Sequence, residues 1–235
     1  MQACRLFPRS CFRFLSSTHN HNKNGFGIVA AITSNQVIGV NGSLPWKNLT
    51  QDRNHFVNLT KKKVLIVGRR TFCLEDASLA HIRHCRACIV VSQSINQDDL
   101  IAARVDNGSE HMVPELLLAR SLEEALELAR LEKRKRQRIE QHNNHNGNDD
   151  NEVIDCWVAG GEAIYKEALQ HPDALEVRLT HVDMMVETNQ FRNVAFFPLE
   201  DMNANGFDEV STEVVGNCEF MTYRRKIRLP FDTIS

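Results

Sequence analysis

Short apolar runs alternate along this chain with amphipathic stretches. Phe26–Thr33 is nearly continuous in apolar residues, the pattern of a strand buried on both faces. Lys63–Gly68, Cys88–Val91 and Val153–Ala159 repeat that pattern. Leu175–Asp183 contains the alternating run Val177–Val182, and Phe207–Val215 with Glu219–Lys226 reads as a closing hairpin around Gly216-Asn217. Helical patterns fall between the runs. Thr50 is placed to cap a helix whose first turn holds Asp52, where a carboxylate suits the dipole, and Asp52 and Phe56 share one face. Ser121-Leu122-Glu123-Glu124 is a capping box, with Leu122, Ala125, Leu126 and Ala129 at helical spacing to Leu131. Residues 95–120 are polar and irregular, with one short strand expected near His111–Val113. Buried runs alternating with helices predict a single α/β domain over residues 26–228 with a mostly parallel sheet.

Three segments fall outside that pattern. Residues 1–25 carry no acid and set Arg5, Arg9 and Arg13 among apolar and hydroxyl residues, the composition of an organelle transit peptide. Mitochondrion or plastid is the expected location; the alternative is an N-terminal tail on a cytoplasmic protein. Glu132–Glu140 is crowded with Lys and Arg and Gln141–Asn151 is rich in Asn and His, so residues 132–151 are expected to be a disordered insertion. Residues 229–235 read as a tail.

At 235 residues and a net charge of −2 the chain suits one sizeable core, and nothing in the overall balance asks for nucleic acid or a membrane as partner. No apolar run approaches a membrane span. Seven scattered cysteines indicate a reducing compartment. His81, His84, Cys85 and Cys88 superficially resemble a zinc site, but structural zinc usually takes ligand pairs from separated segments, so no metal is expected.

The chemistry gathers at three strand ends. After the first strand comes the loop Val37-Ile38-Gly39-Val40-Asn41-Gly42-Ser43-Leu44-Pro45-Trp46, followed by Asp52 and Phe56. A lone carboxylate beside an aromatic ring, under a Gly-rich loop with a Trp, suits a flat, nitrogen-rich heterocycle that pairs with the acid through two hydrogen bonds. Gly68-Arg69-Arg70-Thr71 follows a strand directly and combines bare backbone, a helix start and two cations, a set that suits phosphate. Gly160-Gly161 sits at another strand-to-helix switch, where a dinucleotide can lie against the backbone, although the G-x-G-x-x-G fingerprint is absent.

Taken in order, Val-Ile-Gly, Asn-Gly-Ser-Leu-Pro-Trp, Asp52, Phe56, Gly68-Arg69-Arg70-Thr71 and Gly160-Gly161 resemble the dihydrofolate reductase family over about residues 26–228. The resemblance implies an eight-stranded sheet flanked by helices, with the last strand antiparallel. It also implies a monofunctional, NADPH-dependent reduction of 7,8-dihydrofolate to tetrahydrofolate, with antifolates as inhibitors and a monomer expected. Asp52 would be the catalytic carboxylate, with Trp46 and Leu44 beside it. Ala31, Ile38, Phe56, Arg86, Ala159 and Thr180 would face the substrate, Arg86 gripping its glutamate α-carboxylate and Thr180 supporting Asp52. NADPH would meet Ala31, Ile38, Gly39, Gly42, Ser43, Leu44, Gly68, Arg69, Arg70, Thr71, Ser92 and Gln93. It would also meet Gly160, Gly161, Glu162, Ala163, Ile164 and Tyr165, with the Gly160–Gly161 peptide cis.

The chain departs from the family pattern in four places. Arg53 follows the acid where an apolar residue is usual, Ala159 replaces a larger aliphatic, and Val194-Ala195 replaces an Asp-Thr that steadies the lid loop. The insertion at 132–151 is the fourth. Three readings follow: a dihydrofolate reductase, another reductase of the same fold such as an aminouracil reductase, or a weak homologue that binds RNA through Lys133-Arg134-Lys135-Arg136.

Overall fold

The apolar runs pair with one another, as strands buried on both faces must. The computed structural model describes residues 25–72, 82–100, 114–142 and 154–226. Ten strands occur in that part of the chain: β1 (Phe26–Thr33), β2 (Val37–Val40), β3 (Val64–Gly68), β4 (Ala87–Val91), β5 (Glu115–Ala119), β6 (Cys156–Val158), β7 (Ala174–Val182), β8 (Val194–Phe196), β9 (Phe207–Val215) and β10 (Cys218–Arg225). Eight of them form one sheet in the order β5-β4-β3-β6-β1-β7-β10-β9. Neighbours from β5 to β7 are parallel, and the last strand, β10, runs antiparallel to both β7 and β9. This is the sheet that the family resemblance implies.

Helices cover both faces: α1 (Thr50–Thr60), the single turn α2 (Arg69–Phe72), α3 (Leu122–His142), α4 (Glu162–Gln170) and α5 (Leu199–Ala204). Alternate residues of β1 feed opposite layers. Ile28, Ala30 and Ile32 join Ile66, Val158, Leu126 and Leu169 in one core cluster. Val29 joins Leu65, Val67, Val90 and Trp157 in the other, against which Phe56 and Leu59 of α1 pack. Burial of each such aliphatic side chain stabilises by about 1.5–3 kcal/mol relative to exposure.

The structure corrects three expectations. Residues 132–142 are not disordered: α3 runs on from Leu131 to His142, carried by Lys135–Glu132 at 2.5 Å and Arg136–Glu140 at 2.6 Å, pairs that lie on one helical face. The strand of the 95–120 region is β5, later than the one proposed near His111–Val113, which lies outside the described residues; Leu116 and Ala119 bury against the sheet edge. Leu49, not Thr50, occupies the N-cap of α1, and no side chain caps that helix. The segment up to residue 24 expected to be a transit peptide, residues 143–153 and residues 229–235 also lie outside the described residues.

Candidate active site

The amino end of α1 stands over the carboxyl ends of β1 and β7, the edge where open α/β sheets bind ligands. Asp52 is half-buried there, and its carboxylate is hydrogen-bonded to the side chains of Thr180 and Trp46. Burial holds its pKa above the usual aspartate value, while the Thr180 and Trp46 bonds act in the opposite direction. Thr180 is only 2% exposed, and the β1–β7 register sets it directly beside Ala31. The Tyr165 hydroxyl donates to the Val29 carbonyl at 2.8 Å. Burial, reinforced by the negative Asp52, pushes the Tyr165 pKa far up, so this phenol stays neutral. Phe56 meets His84 edge-on at 5.5 Å, forming an aromatic wall one turn below the acid. Arg53 is exposed and is not among the causes of the Asp52 shift.

The loop over this acid is anchored mainly by backbone groups. Strand β2 pairs with β8 through Val37↔Phe196, Gly39↔Ala195 and Val40↔Val194. Asn41 N–H donates to the Asn193 carbonyl at 2.8 Å, and Asn193 N–H returns a bond to Asn41 Oδ1 at 3.2 Å. A ladder of main-chain bonds therefore fastens the loop although Val194-Ala195 lacks the side-chain hydrogen bonds expected there. The turn closes with reciprocal Val40–Ser43 bonds of 2.8 and 3.0 Å, with Asn41 and Gly42 at φ of 48° and 88°. Gly39 and Ile38 are half-buried, whereas Leu44 is 48% exposed at the rim.

The two glycine switches lie side by side. Gly68 N–H donates to the Gly160 carbonyl at 2.6 Å, and the Gly160–Gly161 peptide is cis. Gly160 has φ +109°, and a Cβ there would lie 3.2 Å from the Tyr165 hydroxyl, so only glycine fits without strain. A Cβ on Gly161 would lie 3.3 Å from Thr71 Oγ1. Arg69 and Arg70 are exposed where α2 begins, and Glu162 opens α4 with Ala163 exposed beside it. Burial would raise the Glu162 pKa, but the Phe196 N–H at 3.1 Å, the Lys166 ammonium at 3.0 Å and the charge of Arg70 together bring it below its usual value. Ile164 is buried in the core rather than on the open edge, and half-buried Ala159 leads into Gly160.

After β4, buried Ser92 accepts from Ser94 N–H at 3.2 Å and Ile95 N–H at 3.3 Å, while exposed Gln93 bonds the Arg120 carbonyl. The Arg120 guanidinium donates to the Ser92 and Ile95 carbonyls at 2.9 and 2.7 Å. Arg120 thus shapes the loop that carries Ser92. Sequence reasoning passed over it because a lone cation at a strand end is usually solvated.

Arg86 stands apart from this edge, at the amino end of β4. Its guanidinium makes a forked pair with Asp155 at 2.6 and 3.1 Å and donates to the Lys62 carbonyl at 2.8 Å. Three hydrogen bonds of this guanidinium thus go to the protein itself, while its buried Nε has no hydrogen-bond partner among the described residues. Asp155 was not singled out from the sequence, yet an acid inside an apolar strand run is a legible signal for a buried partner.

The rival chemistries fare differently. Among the described residues no group of three or more His, Cys, Asp or Glu is placed to hold a metal ion. His84 Nε2 lies 2.6 Å from Thr60 Oγ1, burial pushes the Cys85 thiol up to about 12 and Cys88 further, and His81 lies outside the described residues. In the basic run Lys135 also reaches Glu115 at 3.6 Å and Arg136 reaches Asp155 at 3.5 Å, so two of its cations are answered within the chain. Among the described residues no helix is long and apolar enough to cross a membrane.

Comparison with known proteins agrees with this geometry. The family model for dihydrofolate reductase matches residues 26–225. The dihydrofolate reductase of Bos taurus is 26% identical over 177 residues, covering 72% of this chain and 76% of its own length. That of Aedes albopictus is 26% identical over 180 residues, covering 74% and 78%. Among solved structures, dihydrofolate reductase from Enterococcus faecalis complexed with NADP(H) and RAB-propyl superimposes with a TM-score of 0.56 at 21% identity, covering 87% of this chain and 98% of that one. With its match extending from β1 to the end of β10, this chain belongs to the dihydrofolate reductase family of oxidoreductases.

Proposed function

We propose that this chain reduces 7,8-dihydrofolate to 5,6,7,8-tetrahydrofolate with NADPH, feeding one-carbon metabolism and thymidylate and purine synthesis. The observation that carries the reading is Asp52: a desolvated carboxylate held by Thr180 and Trp46 at the ligand-binding edge of the sheet. A pterin presents a 2-amino group and an adjacent ring nitrogen on one edge, and the two oxygens of Asp52 pair with that edge. The same negative charge, in a pocket closed to bulk water, raises the proton affinity of the neighbouring pterin nitrogen, and water delivers the proton. Phe56 packs on the ring system. Ile38, Leu44 and Trp46 form the lid that excludes solvent during the reaction.

The residues present fit NADPH. Gly68, Gly160 and Gly161 leave backbone bare at the α2 and α4 starts, where a Cβ would crowd Ile164, Tyr165 or Thr71. Arg69 and Arg70 stand exposed beside them for phosphate oxygens, and the loop of Ser92 and Gln93 lies at the neighbouring strand end. When bound, the cofactor supplies the hydride. The backbone at Gly160 and the neutral Tyr165 would orient its ring.

Spectrophotometry of NADPH oxidation tests the proposal. Oxidation that requires dihydrofolate and is abolished by methotrexate supports it. Oxidation with an aminouracil substrate instead selects the other reductase of this fold, and none with either refutes a reductase function.

A further inference from the structure

Helix α1 carries Asp52 at its start, yet little holds that start in place. Its N-cap residue, Leu49, makes no side-chain cap, and the fully buried residue of the helix is Thr60, at its other end. Thr60 lies about 12 Å along the axis from Asp52. The seat of the acid therefore comes from side chains on the flanks of the first two turns.

At about 100° per residue, Asp52 stands between His55, about 60° to one side, and Phe56, about 40° to the other. Phe56 meets His84 edge-on at 5.5 Å. On the opposite flank the half-buried His55 ring stacks on Phe220 of β10, with centroids 4.4 Å apart and planes 28° from parallel. Gln51, on the same flank, reaches the turn of the β9–β10 hairpin, where a Cβ on Gly216 would lie 3.4 Å from its Nε2. The register of the sheet ties the stack to the acid. Phe220 pairs with Thr180 and Thr180 with Ala31, so the three stand in one row with their side chains on one face. The ring under His55 is thus the immediate neighbour of the hydroxyl that Asp52 binds. Burial and the Arg178 guanidinium push the His55 pKa down while Glu213 acts the other way, so the ring is neutral at pH 7.

We propose that His55 is a positioning residue for Asp52: its ring, seated on Phe220, sets the start of α1 at the height and rotation at which the carboxylate meets the Thr180 hydroxyl. Without the ring, α1 pivots about its buried end at Thr60 and Asp52 leaves that bond. The consequence for turnover rests on the dihydrofolate reading, whereas the positioning can be measured without any reaction.

Carbon NMR titration of the Asp52 carboxyl in the ligand-free full chain is the test. Thr180→Val is expected to raise the Asp52 pKa in the otherwise unaltered protein, because the Thr180 bond lowers it, and to do the same in His55→Phe, which keeps a flat ring on Phe220. In His55→Ala, and in Phe220→Leu, which removes the stack from the other side, Thr180→Val is expected to leave the Asp52 pKa where it stands, since the bond is already lost. In parallel, His55→Ala is expected to lower kcat/KM for dihydrofolate by about 10- to 100-fold, the scale of a misplaced reacting group, with NADPH affinity unchanged and most of the loss recovered in His55→Phe. A response to Thr180→Val of the same size in every background overturns the positioning role, and so does a loss of kcat/KM that His55→Phe fails to recover. An unaltered protein that shows the NMR coupling but reduces no dihydrofolate overturns the reductase reading alone.

Discussion

Replacing Asp52 by Asn keeps the shape of the site and removes its negative charge. The amide oxygen still accepts from the Trp46 indole and the amide nitrogen still meets the Thr180 hydroxyl, so a collapse of the pocket is not expected. Positioned acid–base groups contribute about 10²–10⁴ in rate, so turnover near pH 7 is expected to fall by that factor, or about 3–5 kcal/mol of barrier. Lowering the pH supplies already protonated dihydrofolate, and the deficit of the variant narrows accordingly. The stability of the ligand-free protein moves in the opposite direction. Burial holds the Asp52 pKa above its unfolded value, so its ionisation costs stability. The penalty is absent below the unfolded pKa of about 3.9 and complete once pH has risen through the higher folded pKa. Asp52→Asn should therefore be the more stable protein at neutral pH, with the two converging in acid. Steady-state kinetics across pH and urea denaturation at two pH values check both halves. Near-normal turnover at neutral pH refutes the catalytic role, and a variant less stable than the parent at neutral pH refutes the desolvation argument.

Further variants probe the supports of that acid and of the sheet edge. Thr180→Val removes a bond that lowers the Asp52 pKa, so the acid limb of the pH–rate profile should move to higher pH; an unmoved limb would show that the hydroxyl has no grip on the carboxylate. Gly160→Ala forces a side chain onto φ +109° against the Tyr165 hydroxyl, which should cost about 1–3 kcal/mol and lower Tm, and also weaken NADPH binding measured by fluorescence. Asp155→Ala leaves Arg86 partly buried with its strongest partner gone, and a loss of about 3 kcal/mol in urea denaturation is expected; a loss near zero would show that the pair is effectively solvated.

The sequence by itself determined every strand of the large sheet except the edge strand β5, and the position of the acid. A strand covered on both faces tolerates no interruption of its apolar run, so Phe26–Thr33 and Val64–Gly68 announce themselves, and the hairpin of β9 and β10 is marked by its turn. Local patterning also placed Asp52 at a helix start and the glycine pair at a strand end.

Tertiary structure decided the rest. Residues 132–142 have the composition of a solvated loop, and the exposed face of a helix has the same composition; ion pairs at helical spacing and docking against the sheet made the difference. The loop before Trp46 is tied to β8 by backbone groups, which every residue carries, so Val194-Ala195 could not reveal it. The fork between Arg86 and Asp155 spans 69 residues of chain and exists because β4 and β6 begin on either side of β3. Local pattern fixes what each segment must bury, but which charge meets which depends on the order of strands across a sheet, and that order is written in no single stretch of the chain.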